Sequence, residues 1–592
     1  MDDAWPWLAS LPPPLRDEDG PDTPLPAPWS LPLAASTDGA SIVLRADTSP
    51  AASSSLADGD DGNGDGEPAL LVAFSVAING AGGDARALWA SEGFAASSPV
   101  APRVQLLVQL LNEVLALSPY VPCLGAGVDG LGGDASEAKV DAETVSAVVG
   151  AAEAGPSAPA AAFFSLALLL RLFWLCATDA PADAGYLFFR DLRSEIERGL
   201  GECRPALAVF LRSVGPDVED RFMRSLGYML AKWCLLRDMQ AAARSAAKLE
   251  APRRRRALPA ACLSYATEVH GLWILKGYAP VLAMPRVTGP ASTSIAASPH
   301  ELPEEPALRY GLAHQQLEAV AQLEYAARVR DRRFVTVSVR VDNVRVRVAR
   351  LAFRSNDGGG NDGEEAEEDD DAGVDDIMDG ESHFPSRVRL WVGPRFGASY
   401  ATGPSLGRST GNPERDVEMT RTVKGAFSGA TKPANGGVVP RIKAKMRSSA
   451  RTRSRSWRWE QEAEGSAGVF EGVLYDPVTG TEVSAWRPAG TGGGGGTGPT
   501  DPRNGMRRRY GGPGRAFSKM RGLVVAGDEL PEEMTWRVGR EAEGRTLRWR
   551  LGLKAWVTYL PNEARSRHFE TRCIEWAHEV DLPLLAVDGD QS

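Results

Sequence analysis

The sequence predicts an α+β protein: a helical, bundle-like domain followed by a mostly antiparallel β-sandwich or open barrel. Three observations predict it. Apolar residues recur at helical spacing through much of 103–248. Alternation of apolar and polar residues dominates from Phe334 to the end. The charge is also divided: 385–585 holds 33 Lys/Arg against 21 Asp/Glu, a net of +12, in a chain whose total is −11, so the remainder carries −23. At 592 residues the chain exceeds a single core, which implies two ordered domains with linkers.

Residues 1–40, acidic and proline-rich, read as an irregular arm and match neither a secretory signal nor a transit peptide. SIVLRAD (41–47) and ALLVAFSVAI (69–78) read as two strands, with a Ser/Asp/Gly-rich insert between them expected to be disordered. RVQLLVQLLNEVLAL (103–117) is an apolar helix that ends before Pro119. A Gly/Ala/Ser-rich linker follows, to about Pro159.

The most apolar run, 160–180, approaches the length of a membrane span, but Arg171 near its middle would cost about 2.5–3.5 kcal/mol in a bilayer. Amphipathic stretches follow it, including YLFFRDLRSEIERGL and VEDRFMRSLGYMLAKWCLLRDMQAAARSAAKL. They favour the central helix of a bundle over membrane attachment through 160–180. The four arginines of 253–256 read as a solvated loop, with a nuclear-import patch as the alternative.

A helix is predicted from Leu308 to Arg330. FVTVSVRVDNVRVRVARLAF (334–353) reads as a hairpin turning at Asp342–Asn343, because Asx residues tolerate the positive φ of a tight turn. The acidic, low-complexity stretch 356–381 reads as a disordered linker. SRVRLWVG (386–393), a hairpin around Asp476–Gly480 and RTLRWRLGLKAWVTYL (545–560) follow as strands, the last with Arg548, Arg550 and Lys554 facing outward. The resulting division is an N-terminal arm (1–100), a helical domain (101–330), a hairpin belonging with the β domain (331–353), an acidic linker (354–384) and a basic, tryptophan-rich β domain (385–587).

The pattern with the most functional content is RIKAKMRSSARTRSRSWRWEQEAE (441–464). Arg441, Lys443, Lys445, Arg447, Arg451, Arg453 and Arg455 all fall on odd positions, as on a strand with one wet, cationic face. Trp457 and Trp459 then take over the odd positions, which requires a bulge or a bend. Alternate residues lie about 6.7 Å apart, so neighbouring charges repel by only about 0.6 kcal/mol in water, and a bound anion is not required. These seven residues with Arg548 and Arg550 form the candidate contact surface, expected to gather on one water-facing sheet. Glutamates on adjacent strands would neutralise such a face. Otherwise it fits an acidic protein, nucleic acid, an anionic membrane surface, or the chain's own acidic residues 362–381.

Catalytic motifs are lacking. The six histidines stand in no HExxH or zinc spacing, and GTGGGGGTG lacks the lysine of a phosphate loop. His568, Cys573, Glu575 and His578 form at most a loose metal or thiol cluster. SLGRST (405–410) is a Gly/Ser loop able to bind an anion through backbone N–H groups. The six cysteines, five of them in apolar or helical surroundings and none in a regular spacing, read as reduced residues of an intracellular protein, cytoplasmic or nuclear. The expectation is a non-enzymatic binding or scaffold protein with no metal and no cofactor. The alternative is an enzyme of unrecognised type with a site between the helical and β domains.

Several segments resemble a family of uncharacterised proteins of land plants and green algae. They are YATEVHGLWILKGYAPV (265–281), LAHQQLE (312–318), RVDNVRV (340–346), HFPSRVRLWVGP (383–394), SLGRST (405–410), RSWRWEQEAEG (455–465), DPRNG (501–505) and ETRCIEWAHEVDLPLL (570–585), with a looser match at MDDAWPWL. The resemblance implies a green-lineage origin and brings no activity, cofactor or site residue with it.

Overall fold

The computed structural model describes residues 3–11, 29–35, 39–50, 70–79, 85–95, 101–119, 139–153, 159–178, 192–247, 263–281, 314–329, 333–351, 382–406, 415–425, 444–454, 457–475, 482, 522–526, 533–560 and 571–584. Two compact units emerge. The first comprises Met1–Ala261, Pro280–Gln316 and Arg350–Glu365; the second comprises Cys262–Ala279, Leu317–Ala349 and Ala366–Ser592. The fold is mixed α+β, with helices preceding a pair of stacked antiparallel sheets.

In the first unit, β1 (Trp29–Ala35), β2 (Ser41–Pro50), β3 (Leu70–Asn79) and β4 (Ala85–Ala95) form an antiparallel meander. The helices are α1 (Ala4–Ala9), α2 (Ala101–Ala116), α3 (Ala142–Glu153), α4 (Pro159–Thr178), α5 (Arg193–Glu202), α6 (Arg204–Ser213) and α7 (Pro216–Ala247). The 160–180 run is therefore α4. Its window Pro159–Cys176 is long and apolar enough to cross a bilayer, yet 89% of it is buried, against α1, α2, α3, α5, α6 and α7. Its charge is also accounted for. The Arg171 guanidinium pairs with Glu113 of α2, which further accepts hydrogen bonds from Trp89 Nε1 (2.8 Å) and Gln109 Nε2 (2.7 Å). A carboxylate with three donors holds the arginine inside the bundle at low cost.

Three expectations for this unit are corrected. The arm at 1–40 contains α1, which buries Trp5 against Phe164 of α4 (ring centroids 5.3 Å apart), and β1. The early sheet has four strands rather than two. The linker before Pro159 contains α3, whose Val145, Val148, Val149 and Ala152 form a buried stripe at helical spacing. Asp141 precedes that helix and accepts the Thr144 N–H (2.6 Å), a cap that holds its carboxyl below the usual range.

The second unit stacks two sheets. One has the order β10–β16–β8–β7–β6–β5, from β5 (Leu263–Val269), β6 (Leu272–Val281), β7 (His314–Val329), β8 (Phe334–Leu351), β10 (Ala401–Leu406) and β16 (Glu533–Gly539), with β15 (Gly522–Ala526) also on β8. The other has the order β13–β14–β9–β17–β18, from β9 (Ser382–Pro394), β13 (Trp457–Glu464), β14 (Ala467–Leu474), β17 (Thr546–Leu560) and β18 (Thr571–Pro583). A separate two-stranded ribbon joins β11 (Arg415–Gly425) and β12 (Ala444–Ser454). Fully buried tryptophans fill the space between the sheets. Trp549 of β17 meets Trp536 of β16 edge-on at 5.0 Å and stacks on Trp273 of β6 at 5.6 Å. Gly277 permits the close approach, since a Cβ there would lie 2.6 Å from the Trp576 ring. The hairpin β5–β6 turns at His270–Gly271, both at positive φ, as a two-residue turn between twisted strands requires.

The helix expected at 308–330 is strand β7, so the helical domain does not extend to 330; residues 263–281 are strands as well. The hairpin expected at 334–353 is one continuous strand, β8. Val335, Val337, Val339 and Val341 are buried, and so are Val344, Val346 and Val348, so the phase slips by one at Asp342–Asn343 without the chain reversing. One extra residue in a strand has that effect. Downstream, the hairpin around Asp476–Gly480 is closed by the antiparallel bridge Tyr475–Glu482. The acidic stretch 356–381 and the arginine run 253–256 lie outside the described residues.

Candidate binding face

Parity builds the outer face of the five-stranded sheet. In β9, Val388, Leu390 and Val392 are buried, which turns Arg387, Arg389 and Trp391 outward. In β17, Trp549, Leu551, Leu553 and Ala555 are buried, which turns Arg548, Arg550, Gly552, Lys554 and Trp556 outward. The register sets Lys554 opposite Arg389, Trp556 opposite Arg387 and Gly552 opposite Trp391. A Cβ at residue 552 would stand 2.1 Å from Trp391 Cζ2, so the indole lies flat over the glycine backbone. The two central strands thus present a cationic and aromatic stripe two strands wide.

Acidic strands flank it. On β18, Glu575, Glu579 and Asp581 stand opposite Lys554, Arg550 and Arg548. On the other side, β13 and β14 bring Glu460, Glu462, Glu464 and Glu471. Most of the cations are paired: Arg387 with Glu471, Arg389 with Glu464 (2.6 Å), Arg548 with Asp581 (3.0 Å) and Lys554 with Glu575 (3.3 Å). With Arg458 of β13, the face holds six cations against seven carboxylates, so its net charge is −1 although its centre is positive. Arg389 and Lys554 are like charges set directly opposite each other, and each turns outward to a glutamate on a flanking strand.

Arg550 differs from the others. Its Nε donates to the Pro394 carbonyl (3.1 Å), and its guanidinium lies 5.7 Å from the Trp391 ring and 5.4 Å from the Phe396 ring. Among the described residues no carboxylate pairs with it. Phe396 is 85% exposed. The tryptophan rings are largely spoken for by cations: Arg387 lies 5.0 Å and Lys554 5.3 Å from the Trp556 centroid.

Of the residues singled out from sequence, Arg548 and Arg550 lie on this face. Lys445, Arg447, Arg451 and Arg453 lie on β12, in the separate ribbon, where Arg451 and Arg453 are in register with Glu418 and Asp416 and Lys445 with Lys424. Arg441, Lys443 and Arg455 lie outside the described residues. The expectation of one shared sheet is therefore corrected. β12 belongs to the ribbon and β13 to the sandwich, and the bulge or bend expected before Trp457 lies outside the described residues. The sequence reading missed Trp391 and Trp556 as surface residues. Their signal was parity, for each shares the odd or even positions of the arginines beside it.

The loose cluster near the C-terminus disperses. Cys573 and Glu575 share the outer face of β18, His578 bonds to Ser264 Oγ (2.8 Å) on β5, and His568 lies outside the described residues. Among the described residues no three His, Cys, Asp or Glu side chains are grouped to hold a metal. Of SLGRST, only Ser405 and Leu406, the end of β10, are described. A polar cleft of about 210 Å³ on the other sheet is lined by Glu324, Arg328, Ser338, Arg340 and Glu533, where Arg340 already pairs with Glu324 at 2.5 Å.

Thiol chemistry offers a check on the packing. Burial pushes Cys176 and Cys203 up to about 12 and raises Cys573, which remains exposed and lies near Lys554. Alkylation of the folded protein near neutral pH, mapped by mass spectrometry, is expected to modify Cys573 well before Cys176 or Cys203. Early labelling of the latter two would contradict the burial of α4 and of the start of α6.

No family model matches the chain, and no curated protein matches it. Among solved structures it is similar to the Clostridium perfringens delta-toxin, at 11% identity and a TM-score of 0.21, over 54% of this chain and 96% of that one. It is also similar to the Clostridium perfringens NetB toxin in its membrane-inserted form, at 8% and 0.18, over 54% and 94%. A third, described as a pore forming protein, stands at 5% and 0.18, over 54% and 88%. Likenesses at these scores carry no argument about this chain.

Proposed function

We propose that this protein is a non-enzymatic binding or scaffold protein whose contact surface is the cationic stripe of β9 and β17, and that its partner is an extended acidic protein segment. The observation that carries this reading is the stripe itself, with Arg550 uncompensated between two aromatic rings beside the exposed Phe396. Its width limits what it fits. Neighbouring strands are about 4.8 Å apart, so a duplex nucleic acid or a bilayer surface would also meet the carboxylates on both flanks. A single extended acidic chain along the stripe meets its cations first, with Arg550 the one that has no carboxylate partner among the described residues. Base stacking is disfavoured because cations already lie against Trp391 and Trp556.

The test is titration of the full chain with labelled poly-glutamate, single-stranded RNA and phosphatidylserine vesicles at low and physiological salt. Poly-glutamate is expected to bind in a salt-dependent way, and Arg550→Ala to weaken it about tenfold, the loss of one charge-assisted contact. RNA or vesicles binding in its place would sink the acidic-segment reading. If no probe binds, either to the native chain or to one whose 362–381 carboxylates are replaced by amides, the stripe is not a contact surface.

A further inference from the structure

We infer that the stripe is occupied in cis by the chain's own acidic segment, Asp362–Glu381; this rests on the stripe being an anion-binding surface. Twelve of those twenty residues are Asp or Glu, and none is Lys or Arg. The segment ends at the residue before β9, the strand that carries Arg387 and Arg389. Ser382 is in register with Leu560, so the chain enters at the end of the stripe where Arg387 and Trp556 lie opposite each other.

Length permits the contact. From Arg548 to Trp556 the stripe is nine residues long, about 27 Å of strand. Twenty extended residues reach up to about 70 Å, enough to fold back along it with residues to spare. Tethering also favours this occupant over any free one, because a short linker holds its ligand at an effective concentration of about millimolar. The acidic flanks of β13 and β18 confine such a segment to the stripe by repulsion on both sides. A partner from outside must therefore displace it, and the apparent affinity falls by the fraction of chains in which the stripe is free.

The test compares labelled poly-glutamate binding to the native full chain and to a full chain with the twelve carboxylates of 362–381 changed to amides. The amide chain is expected to bind at least about tenfold more tightly, the release expected when a millimolar competitor with a dissociation constant of about 100 μM is removed. The change also raises net charge from −11 to +1. The gain therefore supports the inference only where Arg387→Ala with Arg389→Ala abolishes it. A gain that survives those substitutions overturns the inference. Equal binding by both chains overturns it while leaving the stripe as a contact surface, and no binding by either removes both.

Discussion

Replacing Trp549 by alanine is expected to cost about 3–5 kcal/mol of the stability of the stacked-sheet unit, the usual range for emptying a fully buried large aromatic site. The residue has no solvent exposure and touches Trp536 and Trp273, each contributed by the opposite sheet. The cavity cannot close by collapse, because rigid rings on strands of a hydrogen-bonded sheet line it. Phenylalanine should be far milder. Trp549 Nε1 is buried without an acceptor among the described residues, so removing it relieves an unpaired donor while keeping most of the ring volume. Guanidinium unfolding followed by near-ultraviolet circular dichroism measures both variants. A loss under about 1 kcal/mol for alanine would mean that the two sheets do not share this core.

The second large effect comes from a buried charge. Lys232 of α7 is 2% exposed, its ammonium lies 5.4 Å from the Tyr228 ring, and burial pulls its amine down to about 8 from 10.5. Holding it protonated at neutral pH therefore costs the fold about 3 kcal/mol, an order-of-magnitude figure. Lys232→Met, which keeps the length of the side chain, removes the titrating group and with it the pH dependence that this cost imposes on the helical unit. The pH dependence follows from linkage. As pH rises from about 8 to 10.5 the unfolded lysine still binds its proton while the folded one has released it, so stability rises with pH in that window. Below 8 both are charged and the penalty is constant. Cys176, Cys203 and Tyr228, each raised to about 12, oppose the trend once their unfolded forms ionise, so the native-minus-variant difference is the quantity to follow. Chemical unfolding monitored at 222 nm between pH 7 and about 9.5 tests this; a native-minus-variant stability that does not rise with pH would contradict a buried ammonium.

What was legible in the sequence was parity. The alternations in β9, β17 and β12 identified strands, and in β9 and β17 they separated the inward valines and leucines from the outward arginines. Parity says nothing of which strands become neighbours. Arg548 and Arg451 look alike along the chain, but one lies inside a five-stranded sheet and the other on a two-stranded ribbon. The neutralisation of the stripe was hidden for the same reason, since Asp581 and Glu471 are remote in sequence from the arginines they meet. The helix expected at 308–330 failed for another reason. HQQLEAVAQLEYAARV is rich in Ala, Leu, Gln and Glu, which favour helix by propensity, but pairing between β6 and β8 and burial of Leu317, Ala319, Ala321 and Leu323 on one face make it a strand. The valine stretch carried true periodicity, and an Asx pair at a phase change is as suitable for a bulge as for a turn.

That phase change gives β8 one place at which its length can change without exposing the valine face. Loss of one codon at Asp342 or Asn343 would remove the extra residue and bring Val344, Val346 and Val348 into unbroken alternation with Val335–Val341 on the buried face, whereas a loss elsewhere within β8 would turn the valines on one side of it to the solvent. Among related genes, this step should accept one residue more or fewer, and the valine runs on either side of it neither.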